Sequence, residues 1–218
     1  MPRIIDIMFS ILALLILLPL FIPIIIILLL TGEHKVFYLQ TRVGHNNEDF
    51  RIIKFVTMLS NSANMGSGSL TLKNDPRVLP FGSLLRKTKI NELPQILNII
   101  NGDLSIVGPR PQMRVDFEKY SDDIQKKIYN VRPGLTGIGS IIFRDEESLI
   151  SKASKTENPH DFYKRVIAPY KGDLELWYQN NKSFVLDLKL IFMTAWVILF
   201  PNSRLYEKWF KDLPKRTF

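Results

Sequence analysis

Two runs of this 218-residue chain concentrate side chains suited to phosphate chemistry: Lys87-Thr88-Lys89-Ile90-Asn91-Glu92-Leu93-Pro94-Gln95 and Val107-Gly108-Pro109-Arg110-Pro111. Residues 79–89 and 92–101 read as two helices meeting at Ile90-Asn91, with Asn91 as N-cap and Pro94 in the first turn, where proline is tolerated. Glu92 is therefore expected at a helix N-terminus, where free backbone N–H groups favour anions. Taken alone, a glutamate there is more often a dipole partner than a catalyst. Lys54, Arg86, Arg110 and Arg132 change the reading. Arginine offers a fixed fork of donors and lysine a mobile point charge, so such a set beside a helix N-terminus is what a diphosphate requires. Gly108-Pro109-Arg110-Pro111 holds its arginine on a stiff, nearly extended backbone, which limits the entropy lost on binding. Singly, each of these cations reads as a solubilising residue.

The elements that must position them read as α+β, mostly helical. Residues 35–40 and 50–56 are rich in β-branched and aromatic side chains and bracket a turn at Gly44-His45-Asn46-Asn47, which makes a hairpin. Residues 60–69 are small and polar and are expected to form a mobile loop; the Gly66-Ser67-Gly68 run lacks the strand–glycine–helix context of a phosphate cradle. Residues 116–129 carry Phe117, Tyr120, Ile124 and Ile128 near helical spacing, and Val131-Arg132-Pro133-Gly134 ends that helix. Residues 160–170 and 174–181 are helical in pattern. Residues 184–200 are largely apolar, with the uninterrupted part, 190–200, too short to span a bilayer. Arg204, Lys208, Trp209, Phe210, Lys211, Lys215 and Arg216 follow, a mixture suited to a membrane interface, although a core helix with a solvated basic tail fits nearly as well.

From residue 4 to residue 30 the chain is almost wholly apolar, interrupted by Asp6, Ser10, Pro19 and Pro23. That exceeds the roughly 20 residues that span a bilayer and outruns a signal-peptide core. The two prolines favour a break. Arg3 lies before the segment and Lys35 and Arg42 after it, and the positive-inside tendency is met at both ends only if both face the cytoplasm. A re-entrant helix–break–helix is favoured over a single crossing. The expected organisation is a membrane-embedded segment over 1–31, a catalytic domain with interfacial helices over 32–200, and a basic aromatic tail over 201–218. A net charge of +8 points to anionic partners, and the absence of cysteine excludes disulfides and cysteine-based metal or redox sites. His34, His45 and His160 have no metal-ligand spacing.

The motifs together resemble the bacterial small monotopic phosphoglycosyl transferases. The resemblance is carried by Phe37–Gly44 (Phe-Tyr-Leu-Gln-Thr-Arg-Val-Gly), Phe50-Arg51-Ile52-Ile53-Lys54-Phe55, Asn74-Asp75-Pro76-Arg77, Leu85-Arg86-Lys87-Thr88, Glu92-Leu93-Pro94-Gln95, Gly102–Pro111 and Val131–Gly137. It implies transfer of a sugar-1-phosphate from a nucleoside diphosphate sugar, usually a UDP-sugar, to polyprenol phosphate, releasing UMP. It also implies a bacterial inner-membrane enzyme with its catalytic domain on the cytoplasmic face, acting first in polysaccharide or glycoconjugate assembly. Mg²⁺ is the implied cofactor; inner-membrane lipid is an implied partner, nucleic acid is not, and a homodimer is left open.

By position, Lys54, Arg86 and Arg110 match phosphate-handling residues, Arg132 lies in a further motif, and Asn91 and Glu92 take the places of an Asp–Glu pair that supplies nucleophile and metal ligands. A carboxamide is a very weak nucleophile, though its oxygen can ligate Mg²⁺. Four readings follow: Glu92 is the nucleophile, polyprenol phosphate attacks directly, the protein is silent, or Asn91 is an introduced substitution. An active enzyme using Glu92 is favoured, because the other motif residues are retained. The alternative is a silent membrane-bound homologue that binds nucleotide sugar or polyprenol phosphate and recruits partners.

Overall fold

A computed structural model describes residues 1–66 and 68–218. Helix α1 (Arg3–Leu30) spans 28 residues, about 42 Å at the usual rise per residue. The break that the two prolines favour does not interrupt the helix, which runs through both Pro19 and Pro23. Each proline costs the carbonyl four residues earlier its donor, but the turns on either side keep their own bonds and the helix continues. Among the described residues α1 is the one helix long and apolar enough to cross a membrane.

Both ends of α1 are fastened to the same globular body. At its start the Met1 amino group meets Asp187 at 2.7 Å, Arg3 donates to the carbonyls of Ile100 and Leu104, and buried Asp6 accepts from Ser105 Oγ at 2.8 Å and the Ile106 N–H at 3.1 Å. Towards its end Phe21, Ile24 and Leu28 pack against Phe55 and Leu85, with Phe21 edge-on to the Phe55 ring at 5.2 Å. The opposite face exposes Met8, Leu12, Leu15, Ile16, Ile22 and Ile26.

The hairpin forms as expected, with β1 (Phe37–Val43) antiparallel to β2 (Asp49–Phe55) and Tyr38 opposite Lys54. The first strand runs on to Val43, where it packs into the main core. Asn46 and Asn47 take the left-handed conformation that makes the connection tight, at φ 55° and 63°. Within the loop expected over residues 60–69, Ser62–Asn64 form a 3₁₀ turn. The buried guanidinium of Arg77, paired with Asp75 at 2.6 Å, gathers the carbonyls of Ser62, Met65, Gly68 and Leu70. Ser67, the centre of the Gly-Ser-Gly run, lies outside the described residues.

Helix α2 (Pro80–Lys87) ends where Lys89 turns left-handed at φ 61°, and a 3₁₀ turn over Ile90–Gln95 leads into α3 (Ile96–Asn101). Asn91 is thus not the N-cap of a helix over 92–101; it lies inside the 3₁₀ turn and its side chain caps nothing. The helix read over 116–129 is two: α4 (Arg114–Phe117), then a restart at α5 (Asp122–Lys127) after Ser121. Ser121-Asp122-Asp123 is a start signal, and it wins over the apolar spacing. Flanking the two in sequence, β3 (Ser105–Val107) pairs in parallel with β4 (Gly134–Thr136), so the chain after Arg132 enters a strand.

Helices α6 (Ile138–Ile142), α7 (Glu146–Ala153) and α8 (Pro159–Phe162) follow, and a π-helical turn over Tyr163–Ile167 joins α8 to α9 (Ala168–Asn181). Next come α10 (Phe184–Leu199) and α11 (Leu205–Trp209). The main core lies under α9 and α10, around Tyr129, Ile138, Ile167, Leu174, Leu190 and Met193. Residues after 200 pack back onto it: Phe210 is buried, and Tyr170 donates to the Pro214 carbonyl at 3.0 Å.

Phe55 joins α1 to the hairpin, stacked on Phe37 at 5.7 Å as well as touching Phe21. Truncating Phe55→Ala is expected to cost about 3–5 kcal/mol, the usual loss for a buried aromatic. Denaturant unfolding in detergent should measure that loss, and limited proteolysis should show faster cutting between residues 30 and 37.

Candidate active site

The strand alternation of the hairpin and the turn after α2 bring the cations to one cleft of about 950 Å³. Lys54 enters from β2, Arg86 from the end of α2, Asn91 and Glu92 from the 3₁₀ turn, and Arg110 from the segment after β3. In β2, α2 and the 3₁₀ turn the neighbouring residue packs on α1 or within its cluster: Phe55 beside Lys54, Leu85 beside Arg86, Ile90 and Leu93 beside the Asn91-Glu92 pair. One face of these elements holds the helix and the other holds the charges.

Glu92 and Arg110 form the central pair. Arg110 Nη2 lies 2.9 Å from Glu92 Oε1 and Nη1 lies 3.5 Å from Oε2, a two-pronged contact that is largely buried on the glutamate side. Burial alone would raise the Glu92 carboxyl, but Arg110, Lys54 and Lys89 together outweigh it and hold the group well below the usual carboxylate range. Arg110 is raised in turn by Glu92. Lys54 goes the other way. Burial and the nearby Arg42 lower its ammonium to about 7, with Glu92 opposing the shift. Arg86 pairs outward with Glu147 at 2.7 Å.

Asn91 is buried beside this pair, and its Oδ1 has no hydrogen-bond partner among the described residues. A buried oxygen left unpaired is costly, so it marks a place where a ligand could donate or a cation bind. Among the described residues no cluster of three or more histidine or acidic side chains forms a metal cage.

Arg132 does not join the others. It is exposed and donates to the Gly102 carbonyl at 3.1 Å. Its motif acts through the main chain. A Cβ on Gly134 would overlap the Gly108 nitrogen, one on Gly108 would overlap the Arg132 carbonyl, and one on Gly137 would overlap the Gly108 carbonyl. This glycine-only contact, closed by Gly108 N–H to the Thr136 carbonyl and Gly134 N–H to the Pro109 carbonyl, both 2.9 Å, sets the segment that carries Arg110. Arg42 was missed as a site residue. It lines the cleft, donating to Gln40 Oε1 at 2.6 Å and to the Pro111 carbonyl at 3.2 Å. Its signal was alternation, since Tyr38, Gln40 and Arg42 share one face of β1 with Lys54 across the register. Lys89 was also missed; no pattern in the sequence marks its left-handed turn.

A family profile for bacterial sugar transferases matches residues 1–201. The chain belongs to the bacterial sugar transferase family. It is 35% identical over 196 residues to the UDP-N-acetylgalactosamine-undecaprenyl-phosphate N-acetylgalactosaminephosphotransferase of Aeromonas hydrophila, covering 87% of this chain and 42% of that protein. It is 34% identical over 203 residues to the exopolysaccharide production protein ExoY of Sinorhizobium fredii, covering 87% of this chain and 81% of that one. It is also 32% identical over 176 residues to the undecaprenyl-phosphate galactose phosphotransferase of Salmonella typhimurium, covering 74% of this chain and 33% of the Salmonella protein. This chain thus spans less than half of two of these relatives and most of the third.

The lowered Lys54 has a thermodynamic signature. Between about pH 7 and its ordinary value of 10.5 the unfolded chain holds a proton there that the folded chain has lost, so this residue makes stability rise with pH across that window. Lys54→Met should remove that component. Denaturant unfolding at pH 7, 8.5 and 10 reads it as a wild-type gain with pH that exceeds the variant's.

Proposed function

We propose that the protein transfers a sugar-1-phosphate from a nucleoside diphosphate sugar, of the UDP class, to polyprenol phosphate, yielding polyprenol-diphosphate-sugar and UMP. The observation that carries this reading is the Glu92–Arg110 pair set among Lys54, Arg42, Lys89 and Arg86 in one cleft, on a fold whose family contains undecaprenyl-phosphate sugar phosphotransferases. A cleft with that excess of cations calls for an anion of multiple charge. A diphosphate that takes the Arg110 fork frees the Glu92 carboxylate, which is held ionised.

In the proposed sequence a Glu92 oxygen attacks the phosphorus bearing the sugar, and the bond from that phosphorus to the UMP oxygen breaks. A phosphate oxygen of polyprenol phosphate then attacks the same phosphorus and displaces Glu92. Arg110, Arg86 and Lys54 neutralise charge on the phosphate oxygens, Lys54 taking up a proton as the anion binds. The donor set suits Mg²⁺ of the kind that brings substrate phosphates with it, with Asn91 Oδ1 and Glu92 as the residues that would hold it. When bound, that ion supplies further neutralisation of the diphosphate. Arg132 is outside this set.

We read α1 as re-entrant, dipping into the cytoplasmic leaflet of the inner membrane and returning by bending at Pro19 and Pro23 without losing its helix, its exposed apolar face in lipid and the globular domain on the cytoplasmic side. What supports this is that both termini of the helix are tied to the same domain, a tether hard to reconcile with a straight crossing.

The test is UMP release from UDP-sugars by the full chain in lipid nanodiscs with added polyprenol phosphate. Glu92→Gln should lower turnover by roughly 10³-fold or more, the scale expected when an attacking group is lost. Intact-protein mass spectrometry with UDP-sugar alone should show a phosphosugar adduct on Glu92. No turnover in the native chain, with turnover created by Asn91→Asp, would instead favour the silent homologue.

A further inference from the structure

Glu175 lies mid-way along α9 and is 1% exposed. Its Oε1 accepts the Arg110 N–H at 3.3 Å, while Oε2 has no hydrogen-bond partner among the described residues. The slot around it is built for the carboxyl, since Gly139 of α6 faces Oε1 so closely that a Cβ there would overlap it. Lys171, one turn earlier on α9, is engaged elsewhere: its ammonium meets Glu146 at 2.8 Å and lies over the rings of Phe143 and Tyr163. The direct hydrogen bond of this buried acid is therefore to one main-chain N–H, that of the arginine at the centre of the cleft.

Keeping a carboxyl in such a place is unfavourable. Burial pushes Glu175 up to about 7, against the opposing pull of the Arg110 N–H and the charges of Lys171 and Arg110. The carbonyl side of Arg110 is held as well, accepting the Tyr129 hydroxyl at 2.8 Å, and that hydroxyl in turn accepts the Gln112 N–H at 2.9 Å. The main chain of Arg110 is clamped on both sides, whereas its guanidinium is free to exchange Glu92 for an anion.

We infer that Glu175 is a positioning residue: through the Arg110 N–H it fixes the main chain from which the guanidinium reaches the diphosphate of the nucleotide sugar. The inference rests on the assignment of this cleft to a nucleoside diphosphate sugar. Its consequence is that Glu175 affects anion binding only by way of the Arg110 side chain, although it never touches the ligand.

A double-mutant cycle reads this directly, with UDP as probe and the full chain in nanodiscs, by titration calorimetry. Glu175→Leu should weaken UDP binding about tenfold, the scale of one lost positioning hydrogen bond, while Glu175→Gln, which keeps an acceptor oxygen, should stay within about twofold of the native chain. In an Arg110→Ala background Glu175→Leu should make no further difference. An equal loss with and without the Arg110 side chain, or a Glu175→Gln loss as large as that of Glu175→Leu, would overturn the inference. If Glu175→Leu does not fold, Glu175→Ala carries the same comparison, and native-like UDP affinity in that variant overturns it too. A native chain that binds UDP yet releases no UMP counts against the proposed reaction alone, and the cycle is still read. A native chain without affinity for UDP overturns both.

Discussion

One carboxylate set among several cations that line the same cleft governs this molecule. Arg110, Lys54, Arg42, Arg86 and Lys89 converge on the cleft, and Glu92 is the acid that meets Arg110 in a two-pronged contact. Like charges crowded in a medium of low dielectric repel strongly. The fold offsets this in two ways: it keeps Glu92 ionised, and it lets Lys54 give up its proton near neutrality. Neither device empties the cleft of positive potential, so an incoming anion is attracted and can replace internal partners one for one. The same arrangement keeps Arg110 charged under all ordinary conditions, which suits the phosphate-neutralising role proposed for it.

Holding those charges in place falls to contacts that carry no charge. Gly108, Gly134 and Gly137 let two backbone segments approach more closely than any side chain permits, and the parallel β3–β4 pair is the short ladder that results. On the other side of the cleft, the residues next to Lys54, Arg86 and Glu92 are apolar and pack in the α1 cluster. The long apolar helix and the charged cleft therefore share a wall one residue thick, made by Phe55, Leu85 and Leu93.

Much of this was legible in the sequence wherever a local rule acts alone. The hairpin followed from two apolar-aromatic runs about a turn, and the motifs pointed to Lys54, Arg86 and Arg110, which share the cleft. The misreadings arose where a tertiary demand overrode the local rule. Helical spacing over 116–129 concealed a second start at Ser121, and the best N-cap residue in the region, Asn91, was drawn into a buried turn because Lys89 rather than Asn91 makes the bend. Arg132 was grouped with Lys54, Arg86 and Arg110 by its motif; the structure holds its guanidinium on the Gly102 carbonyl, away from the cleft the others line, and Gly134 of the same motif makes the close contact to Gly108. Glu175 had no signal at all, since a single acid in a helix looks like a solvated one until the packing around it is known.

The carboxamide at position 91 acts on this balance of charge more than on shape. Its oxygen is buried, without a hydrogen-bond partner among the described residues and next to Glu92 in the same turn, so an aspartate there would place a second negative charge in a site already rich in cations. That charge would stabilise the protonated form of Lys54 and compete with Glu92 for Arg110. With asparagine, the cleft carries one unit less of negative charge, Lys54 stays near its point of half-protonation at neutrality, and Glu92 keeps Arg110 to itself until an anion arrives. Compared with an aspartate, asparagine at position 91 thus makes a site that is more strongly attractive to anions and poorer in nucleophiles. Any reaction it supports must draw its attacking group from Glu92 or from the acceptor substrate, because the amide lacks the electron-rich oxygen that the step needs.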